Sequence, residues 1–201
     1  VVDETGTLQF PDIFDVKTGQ SFFRDALNEL RKIEKLPKDF GSLIFEGEGL
    51  HDVVAVSDPF CSYCRKGWAY FQGERRKIRS FKLAHFPLNP HSELVCMALL
   101  DAEIRKDHAL EMADFAYTTL KQTADPEELM KQFMEAFPHL KRVWGKDSRA
   151  AVNYLSERYQ GVLREEVFAA QRLGIKATPV FFIDGQMIEG YHEKQIRERM
   201  P

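Results

Sequence analysis

The run Val53-Val-Ala-Val56 constrains the fold more than any other stretch of the chain. Four small or β-branched apolar residues in succession leave no polar face for solvent, which suits a strand buried on both faces of a sheet. Beyond it, Trp68, Ala69, Phe71 and Ile78 fall at helical spacing and predict a helix of about four turns. Phe81-Lys-Leu-Ala-His-Phe86 then alternates as a further strand, closed by Pro87 and Pro90. Strand, crossover helix and strand in this order argue for a parallel pair.

The flanking segments extend the sheet. Gly41 followed by Ser42-Leu-Ile-Phe45 predicts a first short strand, with Gly47 and Gly49 turning into the next. Near the other end, Pro179-Val-Phe-Phe-Ile183, Asp184-Gly185 and Gln186-Met-Ile-Glu189 read as strand, two-residue turn and strand, and Asp-Gly between such runs is a strong hairpin signal. A short helix from Glu193 to Met200 ends the chain. From Ser92 to about Gly174 the periodicity is helical throughout, with breaks at Pro138 and Gly145. Asp125-Pro126-Glu127-Glu128 is a helix start, with a capping acid, proline in the first turn and acids at the positive end of the dipole. Asp147 caps a last long helix that ends at Leu173-Gly174.

The class is therefore α/β: a mixed sheet of four or five strands with flanking helices, interrupted by an all-helical insertion. Residues 42–90 and 174–201 would form the sheet domain and residues 91–173 the insertion. Residues 1–41 would be an N-terminal extension holding one amphipathic helix from Ser21 to about Lys35, with Phe22, Phe23, Ala26, Leu27, Leu30 and Ile33 on one face. That stripe would pack on its own domain, or serve as a linker or oligomerisation element in a homodimer.

Charge and length exclude several classes of function. A net charge of −3 and scattered basic residues give no electrostatic reason to expect nucleic acid. The cluster Arg75-Arg-Lys77 reads as a solvated helix end. No apolar run approaches the roughly 18 residues of a membrane span, so a soluble chain is expected. It opens at Val1 with neither an n-region nor an h-region, as a processed or trimmed chain would.

The chemistry lies in Asp58-Pro-Phe-Cys-Ser-Tyr-Cys64. Three cysteines, one of them the distant Cys96, are a poor count for a disulfide framework. A zinc knuckle also uses two cysteines three apart, but His85, His91 and Cys96 form no second ligand pair, so no metal is expected. A structural disulfide across three residues would close too small a loop to add much stability. Redox exchange fits best. At a strand-to-helix junction, free backbone N–H groups and the helix dipole favour a thiolate on Cys61, the attacking form in thiol-disulfide exchange. Cys64, one turn further on, is placed to resolve. Cys96, in Leu94-Val-Cys-Met-Ala-Leu-Leu100, reads as a buried small apolar residue. His85 reads as an ordinary sheet residue, the aromatics Trp68, Tyr70 and Phe71 as packing, and Phe60 as an exposed apolar contact for substrate.

A strand ending in this cysteine pair, a helical insertion, and then Gly174-Ile-Lys-Ala-Thr-Pro-Val-Phe-Phe-Ile-Asp-Gly185 resembles the thioredoxin superfamily, in particular the Dsb-type disulfide oxidoreductases of bacterial periplasms. The resemblance covers about residues 42–201 and implies a thioredoxin fold, a periplasmic location and no cofactor. It also implies a cis-proline loop at Thr178-Pro179, packed against the cysteine pair and offering its backbone to a substrate peptide as an added strand. Ser62-Tyr63 between the cysteines, Thr178 before the proline and Asp58 three residues before Cys61 are similar to the isomerase and reductase branch, DsbC and DsbG. Ala55 stands where thioredoxin and DsbA carry a buried acid. The resemblance thus implies an isomerase or reductase, with a DsbA-like dithiol oxidase as the alternative within enzymes and a thioredoxin-fold chaperone or binding module outside them. Its implied partners are unfolded or misoxidised secreted proteins and a membrane redox partner of the DsbD or DsbB kind.

Overall fold

The computed structural model of the chain describes residues 36–37 and 39–201. The helix expected from Ser21 to about Lys35 lies outside the described residues. Strands β1 (Ser42–Glu46), β2 (His51–Ser57), β3 (Ile78–His85), β4 (Val180–Ile183) and β5 (Gln186–Glu189) form one sheet in the order β1-β3-β2-β4-β5. The pair β2·β3 is parallel, and β1·β3, β2·β4 and β4·β5 are antiparallel. The apolar run Val53-Val-Ala-Val56, on β2, sits at the centre of this sheet.

Because successive side chains of a strand point to opposite faces, β2 feeds two cores. Val53 and Ala55 join Phe81, Leu83, Phe181 and Ile183 on one face, while Val56 joins Ala84, Val180 and Phe182 on the other. Val53 and Val56 are fully buried, and burying a side chain of this size contributes roughly 1.5–3 kcal/mol. Helix α1 (Ser62–Gly73) lies over the first face through Cys64, Trp68 and Phe71. A Cβ on Gly67 would stand 2.5 Å from the Phe181 ring, so glycine there lets α1 settle directly on β4. The hairpin turn has positive φ at both central residues, 49° at Asp184 and 80° at Gly185, as a type I′ turn requires.

The expected four-turn helix after the cysteines is shorter. It stops at Gly73, a 3-10 turn spans Arg75–Lys77, and Ile78 opens β3 opposite His51. Ile78 lies seven positions after Phe71, a spacing that fits a helix face equally well; glycine at position 73 and the pairing with β2 decide the outcome.

Between β3 and β4 the chain is helical: α2 (Pro90–Arg105), α3 (Ala109–Asp114), a π-helical turn Phe115–Thr119, α4 (Pro126–Ala136), α5 (Lys141–Trp144) and α6 (Ser148–Arg172). Helix α7 (Glu193–Arg199) follows the hairpin. The starts at Asp125 and Asp147 are capped as their sequences predict, and α2 begins at Pro90, two residues before the expected Ser92, with Asn89 as its cap. Asn89 accepts from the N–H groups of His91 and Ser92, Asp125 from Glu127 and Glu128, and Asp147 from Ala150. Among the described residues no helix is long and apolar enough to cross a membrane.

Candidate active site

Cys61 is the N-cap residue of α1, with extended backbone at φ −75° and ψ 123°. The loop that carries it is built around Asp58, whose carboxylate is fully buried. One oxygen accepts from Phe60 N–H at 2.7 Å, and the other from Leu88 N–H at 2.7 Å and Ser92 Oγ at 3.0 Å. Its carbonyl accepts from Cys61 N–H at 3.0 Å, and its own N–H donates to Cys64 Sγ at 3.4 Å. Asp58 thus ties the nucleophile's turn to the segment after β3. Sequence reasoning treated it only as a family marker, although Asp-Pro with a side-chain-capped N–H two residues on is the signature of an Asx turn.

The peptide bond Thr178-Pro179 is cis, Pro179 is buried, and the Cys61 thiol faces the Thr178 carbonyl at 3.7 Å. The Pro179 carbonyl is already taken by Gly190 N–H at 2.8 Å. Two segments 117 residues apart in sequence therefore meet at the sulfur, as the resemblance implied.

The two sulfurs are chemically unequal. Cys61 is part-exposed and Cys64 only 1% exposed, both as free thiols. The Cys64 thiol hydrogen-bonds the Cys61 sulfur and lowers its pKa to about 6 against the opposing effect of burial. No first-turn N–H is bonded to the sulfur in the thiol form, but those of Cys64 and Tyr63 lie where they favour its anion. Burial drives Cys64 the other way, far above the ordinary thiol range, and its bond to Cys61 adds to this. The arrangement yields one thiolate at neutral pH with a protonated thiol waiting behind it. Alkylation of the reduced protein by iodoacetamide should accordingly rise with pH around a midpoint near 6 and level off above it. A midpoint near the roughly 8.5 of an unperturbed cysteine would show that this stabilisation is absent.

The other expected site residues are distributed around the sulfur. Ser62 and Tyr63 are exposed on the first turn of α1, with Lys66 Nζ 5.0 Å over the Tyr63 ring. Phe60, expected to be an exposed contact, is instead half-buried against the core, because the Asp58 turn folds it inward. Tyr63 at 55% and Leu88 at 51% are the exposed apolar side chains near the turn.

The helical insertion reaches the site through residues that periodicity did not single out. Arg65 donates to the carbonyls of Pro59 at 2.7 Å, Ala116 at 3.1 Å and Leu120 at 3.0 Å, bolting α1 to the π-helical turn. Trp68 Nε1 donates to Asp114 Oδ1 at 3.0 Å, and Tyr117 Oη to Ser57 Oγ at 2.9 Å. An arginine one position after a cysteine and four past its loop gives no sequence sign of partners about 50 residues away.

His85 is not an ordinary sheet residue. It is fully buried, with Nε2 3.0 Å from Glu103 Oε1 on α2. Burial alone would lower its pKa, but the Glu103 charge and the bonds to Cys96 and Glu103 raise it well above the usual value. Cys96 is buried as expected, and burial raises its pKa to about 11, which keeps it a thiol. Alternation along β3 identified His85 as inward or outward facing and could not show an acid arriving from α2.

A buried Cys64 beneath an N-capping Cys61, facing a cis-proline loop on a mixed five-stranded sheet, defines a thioredoxin-like dithiol centre. A thioredoxin family model matches residues 46–199, and the chain belongs to that family. No protein of curated function matches it in sequence. Among solved structures it is similar to the thiol-disulfide exchange protein α-DsbA2 from Wolbachia pipientis, with 14% identity, a TM-score of 0.62, and 89% of this chain and 96% of that one covered. It is also similar to BdbD from Bacillus subtilis, with 14% identity, a TM-score of 0.58 and coverage of 82% and 92%. A thioredoxin-like oxidoreductase from Silicibacter pomeroyi gives 21% identity, a TM-score of 0.59 and coverage of 88% and 94%. These likenesses extend through the helical insertion and establish the fold. None of the three is described as a DsbC or DsbG protein, so the branch that Ser62-Tyr63 suggested gains no support from them.

Proposed function

We propose that the chain is a thiol-disulfide oxidoreductase of protein substrates, working in an oxidising compartment such as the periplasm, with Cys61 as the exchanging sulfur and Cys64 as the resolving one. The observation that carries this reading is the pairing of a part-exposed, acidified Cys61 with a buried, protonated Cys64 beside the cis Thr178-Pro179 bond. Thr178 and Pro179 would align a client segment against the sulfur, and Tyr63 and Ser62 would border it, with Phe60 shaping the turn from behind.

For direction we favour the dithiol oxidase. Two of the similar structures are the thiol-disulfide exchange protein α-DsbA2 and BdbD, and their likeness covers 89% and 82% of this chain. Stabilising the Cys61 thiolate favours the reduced form and so makes the disulfide a better electron acceptor. In that direction a client thiolate attacks Cys61 Sγ of the disulfide and displaces the Cys64 thiolate, which takes up a proton. A second client thiolate then attacks the client sulfur of the mixed disulfide, releasing the Cys61 thiolate and an oxidised client. A membrane partner of the DsbB kind would reoxidise the pair.

The isomerase and reductase reading keeps one specific support. A Cys61 pKa of about 6 lies closer to the roughly 7 of thioredoxin than to the roughly 3.5 of DsbA. The reduction potential against glutathione separates the two. We expect a value between about −270 and −120 mV, and one above about −200 mV with rapid oxidation of a reduced peptide upholds the oxidase. A value below about −230 mV, with insulin reduction and reshuffling of scrambled ribonuclease, would hand the assignment to the reductase and isomerase side and its DsbD-like partner. A chaperone without redox activity would show neither.

A further inference from the structure

We propose that Asp107, His108 and His139 form a binding site for one divalent ion of the zinc class, set in the helical insertion and independent of the cysteine pair. Two turns bring these residues together. Helix α2 ends at Lys106 in a left-handed conformation, with Asp107 N–H donating to Ala102 O at 2.9 Å, and this reversal presents Asp107 and His108 side by side. Opposite them, the 3-10 turn Pro138–Leu140 is pinned by the fully buried Leu140 and carries His139. One ligand atom from each of the three side chains lies within 4.8 Å of the others.

The separations within this cluster suit an ion better than hydrogen bonds. His108 Nε2 stands 3.6 Å from Asp107 Oδ1, and His139 Nε2 3.7 Å from Asp107 Oδ2. Both exceed hydrogen-bond length. Ligands at about 2.0–2.1 Å from a tetrahedral Zn²⁺ are spaced roughly 3.3–3.4 Å apart, so the three side chains, now within 4.8 Å of one another, would draw together around the ion by rotamer adjustment.

A second observation points to a ligand. His139 Nε2 is shut off from solvent and has no hydrogen-bond partner. A buried ring nitrogen left unpaired is costly, and a cation between the two imidazoles and the carboxylate would satisfy it. The surroundings supply the orienting contacts that metal ligands usually have. Arg105 Nη1 donates to Asp107 Oδ2 at 2.9 Å while its Nε is held by the buried Asp101, which offsets the guanidinium charge. The Glu111 carboxylate lies 4.0 Å from His108 Nδ1, beyond hydrogen-bond length, and adds negative charge beside that ring. Two nitrogens and one oxygen suit Zn²⁺ and its neighbours rather than ions that demand thiolates or all-oxygen cages. Three protein ligands leave a fourth position for water. The metal-free expectation came from ligand spacing around Cys61 and Cys64. His108 and His139 stand 31 residues apart and form no local motif.

The test is calorimetric titration of Zn²⁺ into the full chain in its disulfide form, where Cys61 and Cys64 cannot take the ion. One equivalent should bind, and His108→Ala and His139→Ala should each weaken binding at least about tenfold, while His91→Ala, at an exposed histidine outside the cluster, leaves it unchanged. Co²⁺ bound in place of Zn²⁺ should show the visible absorption of a tetrahedral site, lost in His139→Ala. Unchanged thiol-disulfide exchange in the variants confirms that they are folded. Absence of saturable Zn²⁺ uptake, or uptake that His139→Ala leaves intact or His91→Ala weakens equally, overturns the site.

Discussion

Cys61→Ser should lower oxidation of a reduced peptide by at least about 1000-fold, because a serine hydroxyl stays protonated and un-nucleophilic where the thiolate forms readily. Nothing else at the site can take over. Cys64 is 1% exposed and held as a thiol by burial, and Cys96 is fully enclosed between β3 and α2. Cys64→Ser has a different signature. Its Cys61 still attacks a disulfide, but no second sulfur lies behind it to expel the partner, so a mixed disulfide with glutathione or a client accumulates and is visible as added mass on the intact chain. Cys64→Ala removes the thiol that hydrogen-bonds Cys61 most strongly and puts no donor in its place, so in that variant the alkylation midpoint should move up from about 6. Retention of more than about a tenth of wild-type exchange by Cys61→Ser would sink the assignment of roles.

How much of this was visible in the sequence depends on the distance over which each feature is encoded. The strands, the Asp184-Gly185 turn and the helix starts at Asp125 and Asp147 are written within four or five consecutive residues, and each appears where local chemistry put it. The run Val53-Val-Ala-Val56 announced a strand covered on both faces, and its alternate residues do divide between two cores. The boundary at Ile78 went wrong because an apolar residue seven after Phe71 satisfies either periodicity, and only the pairing with His51 selects the strand.

The site divides the same way. Cys61 and Cys64 are local, and the strand before and helix after them were enough to suggest their inequality. What places them is not local. Asp58 bridges to Leu88 and Ser92, Arg65 to Ala116 and Leu120, and Ser57 to Tyr117, all across separations of 30 to 60 residues. Proline after a glycine-marked turn and at the start of a strand makes a cis bond at Thr178-Pro179 plausible from the residues alone, but its place against Cys61 was reached only through resemblance, since no periodicity in "KATPV" reports that it faces a cysteine 117 positions earlier. The inward turn of Phe60 is a case where a local cue was available: an aspartate two residues before it can cap its N–H and reverse the chain.

His85→Leu should destabilise the fold by about 3–5 kcal/mol, since it leaves the Glu103 carboxylate buried without its cation. Glu103 is only 8% exposed, one of its oxygens already lacks a hydrogen-bond partner, and so does the nearby Glu166 Oε2. For a chain of this size the loss corresponds to a fall in Tm of roughly 10 °C. The double variant His85→Leu, Glu103→Leu should recover most of it, because removing both members of a buried ion pair costs far less than removing one. The pair also fixes a pH dependence. His85 is held protonated above its usual 6.5, so its share of stability is complete below that pH and fades as pH rises through the raised folded value. Glu166, raised by burial from 4.5 to about 7, keeps a proton that the unfolded chain releases, so stability falls again as pH climbs between those two values. The reduced Cys61 opposes both, since its lowered pKa adds stability as pH rises above about 6. Thermal unfolding of the disulfide form, in which Cys61 does not titrate, should therefore show wild type losing stability from pH 5 to 8 more steeply than the double variant. Parallel profiles for the two proteins would mean that His85 is neutral in the fold and that its contact with Glu103 is a plain hydrogen bond.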